Sequence, residues 1–328
     1  MKRKFLAILL CVSMCLCMSG CGSEKAEDTS SSERATSVSN GSLKADSSVV
    51  AVGKTTVTYS EYRTYYYFMK NQYEGILGGE IWQYSKAIDG KKTVGQEAIE
   101  SVLRLMIQVK VICKEAAIEK VKLETDEKEE ADFKAKTAYE SLSEKDRTEN
   151  DIDFPTLTKI FEENKLAQKM YNVEIGKVKL DLTAEQIRAA KVQLIYRAAN
   201  SKNKASVKTE MEQLRQGLDT SQSSFYAIAK ENTQADEVEC IVGNSDSRTS
   251  LAKAVLALKQ GQISNVIEEK NGFYIACCVE PDSAELQQQY RNQVVQEKQT
   301  EAFQKAYKTW SDKFQVKVSK ALLSDNGR

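Results

Sequence analysis

Apolar residues between positions 49 and 186 recur mainly with the period of an α-helix. Four helices are predicted, and two short apolar runs ahead of them predict a small strand pair or a turn. The helices begin near Thr58, Gln96, Thr125 and Asp153, and the strands cover 49–52 and 55–57. We therefore expect residues 49–186 to form a mostly helical region.

The first predicted helix carries a broad aromatic face. Thr58 and Glu61 have the spacing of a capping box at its start. Two interpretations stay open for this face. It packs against other helices as core, or it forms an exposed apolar surface that binds unfolded polypeptides together with Trp82. The side chains of the face are Tyr62, Tyr65, Tyr66, Met69 and Tyr73.

The pattern changes after Lys177 to short strands that alternate with helices. Thr183 and Gln186 form a second capping-box pair, and Asn271-Gly272 between apolar alternations predicts a β-hairpin. Residues 187–281 therefore predict a compact β-α-α-β-α-β-β unit. Its strands are expected over 192–196, 239–242, 263–269 and 273–279, and its helices over 205–214, around 225–229 and over 251–258.

Beyond Pro281 the helical period returns as far as Phe314. We expect residues 282–320 to pack back on the first helical region and residues 321–328 to form a tail. The predicted fold class is α+β. A mostly helical, discontinuous domain carries an inserted unit with a four-stranded antiparallel sheet and helices.

The N-terminus predicts export. Lys2, Arg3 and Lys4 precede an apolar run over 5–18 that is shorter than the roughly 20 residues of a membrane-spanning helix. Residues 1–20 are therefore expected to be a signal peptide. The sequence Met-Ser-Gly-Cys at 18–21 resembles a bacterial lipobox, in which Cys21 receives lipid. The alternative is an ordinary signal peptide with incidental cysteines. Residues 21–48 are rich in serine and predict a disordered tether.

The amino-acid composition excludes several classes of function. Lys and Arg number 47, as do Asp and Glu, so the chain has no basic excess for nucleic acid. The predicted signal peptide contains three basic and no acidic residues, so the chain from Cys21 onward carries a net charge of −3. There is no histidine. This excludes Ser-His-Asp and Cys-His catalysis and His-ligated zinc or haem. No cofactor and no metal site are predicted.

Four cysteines follow the predicted lipid site, and none belongs to a Cys-x-x-Cys motif. Small buried apolar residues are the expected state. A bridge from Cys240 to Cys277 or to Cys278 stays open as the alternative. The four residues are Cys113, Cys240, Cys277 and Cys278.

Several stretches together resemble the parvulin-type peptidyl-prolyl isomerases, in particular PrsA-like foldase lipoproteins with a SurA-like N-terminal region. The most specific stretch is LAKAVLALKQGQIS at 251–264, which resembles the family's helix ending in L-K-x-G-E-I-S. The sequences FYAIAKE at 225–231 and NGFYI at 271–275 resemble further parvulin segments. Residues 49–62 are similar to the start of the SurA-like region. The resemblance implies an isomerase domain over 187–281.

The resemblance also locates a reaction centre, and this chain departs from it there. The two family histidines fall at Leu194 and Tyr274. The Asp or Cys that faces the substrate amide falls near Ala235, with Asp236 as a partial substitute. The methionine and phenylalanine of the proline pocket fall near Ser247 and at Leu251. Retention of the fold without the usual reaction centre is therefore expected, and isomerase activity is left open.

Three functions remain open on this evidence. The first is a lipid-anchored foldase or chaperone at the extracytoplasmic face of the bacterial membrane, with unfolded or nascent exported polypeptides as partners. The second is an active peptidyl-prolyl isomerase with a non-standard pocket. The third is a structural surface lipoprotein. Dimerisation through the helical regions is also open.

Overall fold

A computed structural model describes residues 43–83, 93–218 and 224–323. The predicted signal peptide, Cys21 and most of the tether lie outside these ranges, as do residues 324–328 of the predicted tail. The described chain divides into two compact units. The first unit holds the residues up to Val178 and from Thr300 onward, and the second unit holds Lys179–Gln299.

The elements follow the α+β order that the sequence predicts. A 3-10 helix at Gly79–Gln83 supplements them. The strands are β1 Ser48–Val52, β2 Thr55–Thr58, β3 Ala189–Ala198, β4 Glu239–Gly243, β5 Ile267–Glu269, β6 Gly272–Glu280 and β7 Val316–Val318. The helices are α1 Tyr59–Leu77, α2 Val94–Ile118, α3 Thr125–Ser141, α4 Glu144–Glu149, α5 Phe154–Gly176, α6 Lys204–Leu218, α7 Phe225–Asn232, α8 Thr249–Val255, α9 Ala284–Ser311 and α10 Lys320–Leu323.

Side-chain caps set the helix starts. The Thr58 hydroxyl accepts a hydrogen bond from the Glu61 amide and starts α1. Thr93 and Gln96 form a full capping box, so α2 begins two residues before the predicted position. Thr183 and Gln186 also exchange capping hydrogen bonds, at 2.9 and 3.3 Å. Only a turn follows them, because β3 begins at Ala189.

The core of the first unit resolves the two interpretations of the aromatic face residue by residue. Tyr62, Tyr65 and Met69 are buried in the core, as the packing interpretation predicts. Tyr66 and Tyr73 are only half-buried. The face is therefore core on one side and partly exposed on the other.

A buried lysine ties three helices of the first unit together. Lys110 of α2 is 1% exposed and forms ion pairs with Glu61 of α1, at 2.6 Å, and with Glu163 of α5. Glu61 also pairs with Lys159 at 3.0 Å. Burial acts to lower the pKa of Lys110, but the carboxylates of Glu163 and Glu61 outweigh it and the pKa is raised. The lysine therefore stays charged inside the core.

The second unit contains the predicted four-stranded antiparallel sheet, in the order β4-β3-β6-β5. Successive side chains of a strand point to opposite faces. On one face Leu194 packs with side chains of α8, and on the other Ile195 packs with side chains of α6 and α7. The predicted α+β class, with helices around this sheet, is confirmed.

The hairpin lies one residue earlier than the sequence predicts. Glu269 pairs with Gly272, so Lys270 and Asn271 form the two-residue loop and Gly272 begins β6. Gly272 has φ +154°, and a Cβ there would lie 2.1 Å from the carbonyl oxygen of Arg197. Only glycine fits this close approach of two strands. The preceding strand is also shorter than predicted, since β5 begins at Ile267 and Ile263 makes only a single bridge to Cys277. At Ser264 the main-chain amide donates to the Ala276 carbonyl oxygen, and the Ser264 hydroxyl accepts from the Ala276 amide.

The long helix α9 differs from its prediction. We expect residues 282–320 to pack on the N-terminal helical region, but the division between the units falls inside α9, after Gln299. Tyr290 and Val294 pack in the second unit, whereas Phe303 and Trp310 belong to the core of the first. The apolar positions of one continuous helix thus serve two cores.

Within the described ranges, we find no helix with the length and apolarity that a bilayer crossing requires.

The cysteines form no bridge, which contradicts the alternative left open above. Cys113, Cys240, Cys277 and Cys278 are free thiols. Cys240 and Cys278 lie opposite Val192 on its two sides, so two strand spacings, about 10 Å, separate them. Disulfides need Cα atoms within about 7 Å. Cys277 packs on the opposite face of the sheet.

We predict that Lys110→Ala destabilises the first unit by about 3–5 kcal/mol, because two carboxylates lose their buried partner. Lys159→Ala is the matched control. Lys159 is half exposed and Glu61 keeps Lys110, so the cost should stay below about 1 kcal/mol. Urea unfolding of the full chain, followed by tryptophan fluorescence, measures both, since Trp82 and Trp310 lie in this unit. Equal costs for the two variants would contradict this role of Lys110.

We predict that Gly272→Ala destabilises the second unit by about 3 kcal/mol, because the methyl group meets backbone and the φ angle is strained. Gly217→Ala in α6 is the control, since no atom lies within 4 Å of its added Cβ. That variant should be neutral or slightly stabilising. Differential scanning calorimetry of the full chain compares them. An unchanged unfolding transition in Gly272→Ala would refute the assigned hairpin register.

Candidate active site

Three of the four sequence-predicted site residues meet on one face of the β3–β6 pair. Tyr274 of β6 lies directly opposite Tyr196 of β3, and Leu194 lies opposite Ala276, so Leu194 and Tyr274 are diagonal neighbours. Leu251 of α8 covers this face. The exposed fractions are 3% for Leu194, 0% for Leu251 and 4% for Tyr274. The positions that the resemblance assigns to a reaction centre are therefore occupied by packed side chains.

The fourth residue does not join this cluster. Asp236 is exposed in the bend that precedes β4, and Ala235 beside it is half-buried. Two residues further on, the Val238 carbonyl accepts a hydrogen bond of 2.8 Å from the Leu194 amide. The loop therefore runs beside the expected strand, but the acidic side chain stays outside the apolar cluster.

A pair of tyrosines forms the polar part of this face. The rings of Tyr196 and Tyr274 stack with centroids 4.7 Å apart and an angle of 26° between their planes. Both hydroxyls reach Asn271 in the hairpin loop. The Tyr196 hydroxyl donates to the Asn271 carbonyl oxygen at 2.9 Å, and the Asn271 side-chain amide donates to the Tyr274 hydroxyl at 3.2 Å. The hydroxyls are thus held at the same end of the strand pair.

Sequence reasoning missed Tyr196. The signal was present, because Tyr196 lies two residues after Leu194 on a predicted strand and so shares its face. Its stacking on Tyr274 follows from the register between β3 and β6, which cannot be read from the sequence alone. Asn271 enters the site for the same reason, through the one-residue shift of the hairpin.

An arginine lies over the aromatic pair. The Cζ of Arg248, the residue before α8, lies 5.8 Å from the centroid of the Tyr274 ring. Its Nε and Nη2 donate to the two carboxylate oxygens of Asp246 at 2.9 and 2.6 Å. The hydrogen bonds that the Arg248 guanidinium donates to Asp246 raise the pKa of Arg248. The guanidinium is therefore charged and fixed at the rim of the site.

None of the thiols and phenols with raised pKa values titrates near neutral pH. Burial raises the pKa of the Cys240 thiol to about 11, although Arg248 opposes this. Burial also raises the pKa of Tyr196, with a further contribution from Tyr274. Both groups are neutral at pH 7, so they can donate hydrogen bonds but do not shuttle protons. Among the described residues, we find no cluster of three His, Cys, Asp or Glu side chains that could hold a metal ion.

Comparison with known proteins shows that this part of the chain matches one protein family. Residues 189–280 match the family model of the rotamase domain of the PPIC-type PPIase. These residues span all four strands of the sheet and the two tyrosines. No curated protein matches the chain.

Solved structures show weaker likeness. Peptidylprolyl isomerase PrsA from Bacillus anthracis is 20% identical with a TM-score of 0.41, and the match covers 64% of this chain and 96% of that one. PrsA from Bacillus subtilis is 18% identical with a TM-score of 0.26, covering 70% and 91%. A structure from Campylobacter jejuni, from work that describes PEB4 and Cj1289 as SurA-like chaperones, is 12% identical with a TM-score of 0.33, covering 83% and 99%. The family match is confined to the sheet-containing segment, so residues 189–280 of this chain are similar to the rotamase domain of the PPIC type.

Proposed function

We propose that this protein is a lipid-anchored extracytoplasmic foldase that binds unfolded exported polypeptides and has little prolyl isomerase activity. One observation carries the proposal. The PPIC-type domain keeps its sheet, while Leu194, Leu251 and Tyr274 fill the expected reaction centre with buried side chains. The chain also contains no histidine for that centre.

The mechanism of prolyl isomerisation explains why buried side chains in the expected reaction centre should lower the catalytic rate. Rotation about the peptide bond has a barrier of about 18–20 kcal/mol, and an enzyme lowers it by binding the twisted amide better than the planar one. Leu194 offers no hydrogen bond to such an amide. An X-Pro segment also needs space beside Tyr274, whose ring is only 4% exposed. We therefore expect slow isomerisation in the wild-type chain.

Binding of unfolded client chains does not require the reaction centre of an isomerase. Unfolded chains expose apolar segments that aggregate, and weak binding of these segments lowers their free concentration. Part of the aromatic face in the first unit is accessible. Tyr66 and Trp82 pack with ring centroids 6.5 Å apart and are half-buried, and Ile76 and Leu77 at the end of α1 are 73% and 56% exposed. This apolar surface supports holding of clients.

The anchor follows from the N-terminal sequence. A lipobox-like Met-Ser-Gly-Cys at 18–21 would give Cys21 a diacyl anchor, and two acyl chains hold a protein at a membrane where one does so only marginally. The net charge of −3 beyond the signal peptide does not favour an anionic lipid surface. The proposed location is therefore the extracytoplasmic membrane face, through lipid.

A second candidate function is an active isomerase with a non-standard pocket. The observation that favours it is the pair of hydroxyls on the site face, where Tyr196 and Tyr274 are both held by Asn271. A phenol can donate a hydrogen bond to a twisted amide as an imidazole can.

We predict that the full chain in lipid nanodiscs suppresses aggregation of thermally unfolded citrate synthase at stoichiometric amounts, as light scattering would show. The double variant Ile76→Ser/Leu77→Ser should lose about half of this effect, because the exposed apolar end of α1 is removed. Phe133→Ser is the control, since Phe133 is 71% exposed on the charged helix α3. Absence of suppression by the wild type would sink the proposed holding function.

We predict that the wild-type chain accelerates cis–trans exchange of an Ala-Ala-Pro-Phe peptide less than about twofold, because the expected pocket is filled. Exchange spectroscopy by NMR at high protein concentration measures the rate. Strong acceleration that falls in Tyr274→Phe would favour the second candidate instead. Acceleration that Tyr274→Phe leaves unchanged would place the pocket elsewhere in the chain.

A further inference from the structure

The small sheet of the first unit joins the two ends of the described chain. Its strand order is β2-β1-β7, so β1 lies between the strand that follows it and the strand near the C-terminus. The predicted tether ends at Ser48, where β1 begins. The Ser319 amide, just after β7, donates to the Val49 carbonyl oxygen at 2.8 Å. The segment that would lead to the lipid therefore enters the first unit along this sheet.

Lysines are concentrated at this sheet, and together they form what we call the basic face. They are Lys54, Lys114, Lys313, Lys317 and Lys320. Lys317 of β7 lies opposite Ala51, and alternation along β1 places both on the side away from the buried Val50 and Val52. Val316, next to Lys317, is 39% exposed. The outer surface of the sheet is therefore basic, with an apolar side chain at its edge.

Lys114 of α2 is held at the turn end of this sheet. Its Nζ donates to Thr55 Oγ1 at 3.3 Å and lies 5.0 Å from the centroid of the Phe314 ring. A Cβ on Gly53 would lie 3.5 Å from Lys114 Cε and 3.7 Å from the Phe314 ring. Lys54 follows Gly53 in the β1–β2 turn and is exposed. Two lysines from different elements therefore lie at the turn end of the basic face.

Carboxylates offset only part of this positive charge. Lys313 pairs with the buried Glu115 at 2.6 Å. Among the described residues, no carboxylate forms an ion pair with the other four lysines of the basic face. Asp46 and Asp312 are exposed acidic residues that precede β1 and β7. The net charge of −3 therefore describes the chain from Cys21 onward as a whole, whereas this face keeps a local excess of positive charge.

We propose that the basic face docks on the anionic phospholipid headgroups of the membrane that holds the tether. This inference rests on the proposed function, because it assumes the lipid anchor. The predicted tether has a root-mean-square length of roughly 30 Å, so it keeps the face near the bilayer and makes docking an intramolecular event. Attraction between lysines and anionic lipid acts within about 8 Å, the Debye length at physiological ionic strength. Docking turns the β2-β1-β7 sheet towards the membrane.

The strength of docking suits a contact that supplements an acyl anchor. One lysine near an anionic membrane surface contributes about fivefold to a partition constant. Four lysines without a carboxylate partner, offset by the exposed Asp46 and Asp312, leave about thirtyfold. Because the attraction is electrostatic, high salt should abolish it.

Lysine footprinting of the full chain in nanodiscs tests the docking. Limited acetylation and mass spectrometry report the accessibility of each lysine, with phosphatidylcholine alone or mixed with phosphatidylglycerol. The anionic lipid should lower modification of Lys54 and Lys320 by about thirtyfold at low salt, and high salt should restore it. Lys208 of α6, which pairs with Glu212 outside the basic face, is the internal reference and should not change.

Charge variants test which lysines carry the contact. Lys317→Gln should reduce the protection of Lys54 and Lys320 about fivefold, because one cation is lost from the face. Lys208→Gln is the matched control and should leave this protection unchanged. If Lys317→Gln does not fold, as judged by circular dichroism, Lys54→Gln replaces it, with Lys320 as the reporter.

Equal modification of Lys54 and Lys320 in the two kinds of nanodisc would overturn the docking, and so would equal protection of Lys208. Protection in phosphatidylcholine nanodiscs by soluble glycerol phosphate would overturn the assignment to lipid, because a free phosphate would then be the ligand.

Mass spectrometry of the intact chain from bacterial membranes tests the anchor separately, because a diacyl group on Cys21 adds mass. A diacylated chain without lysine protection rejects the docking alone. An unacylated chain whose basic face is still protected by anionic vesicles at high lipid concentration rejects the anchor alone.

Discussion

The pairing of β3 with β6 is the constraint on which the candidate site depends. It runs from Lys191 opposite Glu280 to Ala198 opposite Gly272, in the middle of the sheet. Because side chains alternate between faces, a shift of one residue would move Leu194 to the opposite face. Gly272 protects the register, since the strands approach there too closely for any Cβ. The stacked tyrosines are a consequence of that register.

The two units use buried polarity differently. The first unit encloses Lys110 with two carboxylates, an arrangement that is costly to break and specifies how α1, α2 and α5 meet. The sheet face of the second unit is mostly apolar, with its polar atoms at the hairpin end and along its rim. An apolar face tolerates substitution if volume is kept. Such a face can retain its fold after the residues of a reaction centre are replaced, which is what the family resemblance implies for Leu194.

The sequence predicts the elements better than their contacts. Alternation and turn residues located β3, β4 and β6, and the capping residues located α1 and α5, because these signals are local. The hairpin shifted by one residue because the glycine is required for close strand approach, a tertiary property. The charge of Lys110 on a predicted apolar helix face gave no sign of its partners, which lie 49 and 53 positions away in sequence. Arg248 was missed for the same reason, since its placement over Tyr274 arises only when α8 packs on the sheet.

Because the chain has no imidazoles, the chemistry of this sheet face depends on whether a client amide can reach it and on the hydrogen bonds that the face can offer. Prolyl isomerisation breaks no bond and transfers no proton, so a neutral phenol is chemically sufficient if it reaches the amide. The raised pKa of Tyr196 keeps its hydroxyl protonated at neutral pH. That hydroxyl, however, already donates to the Asn271 carbonyl. A client amide would have to compete with this bond for the Tyr196 hydroxyl, and this competition opposes catalysis.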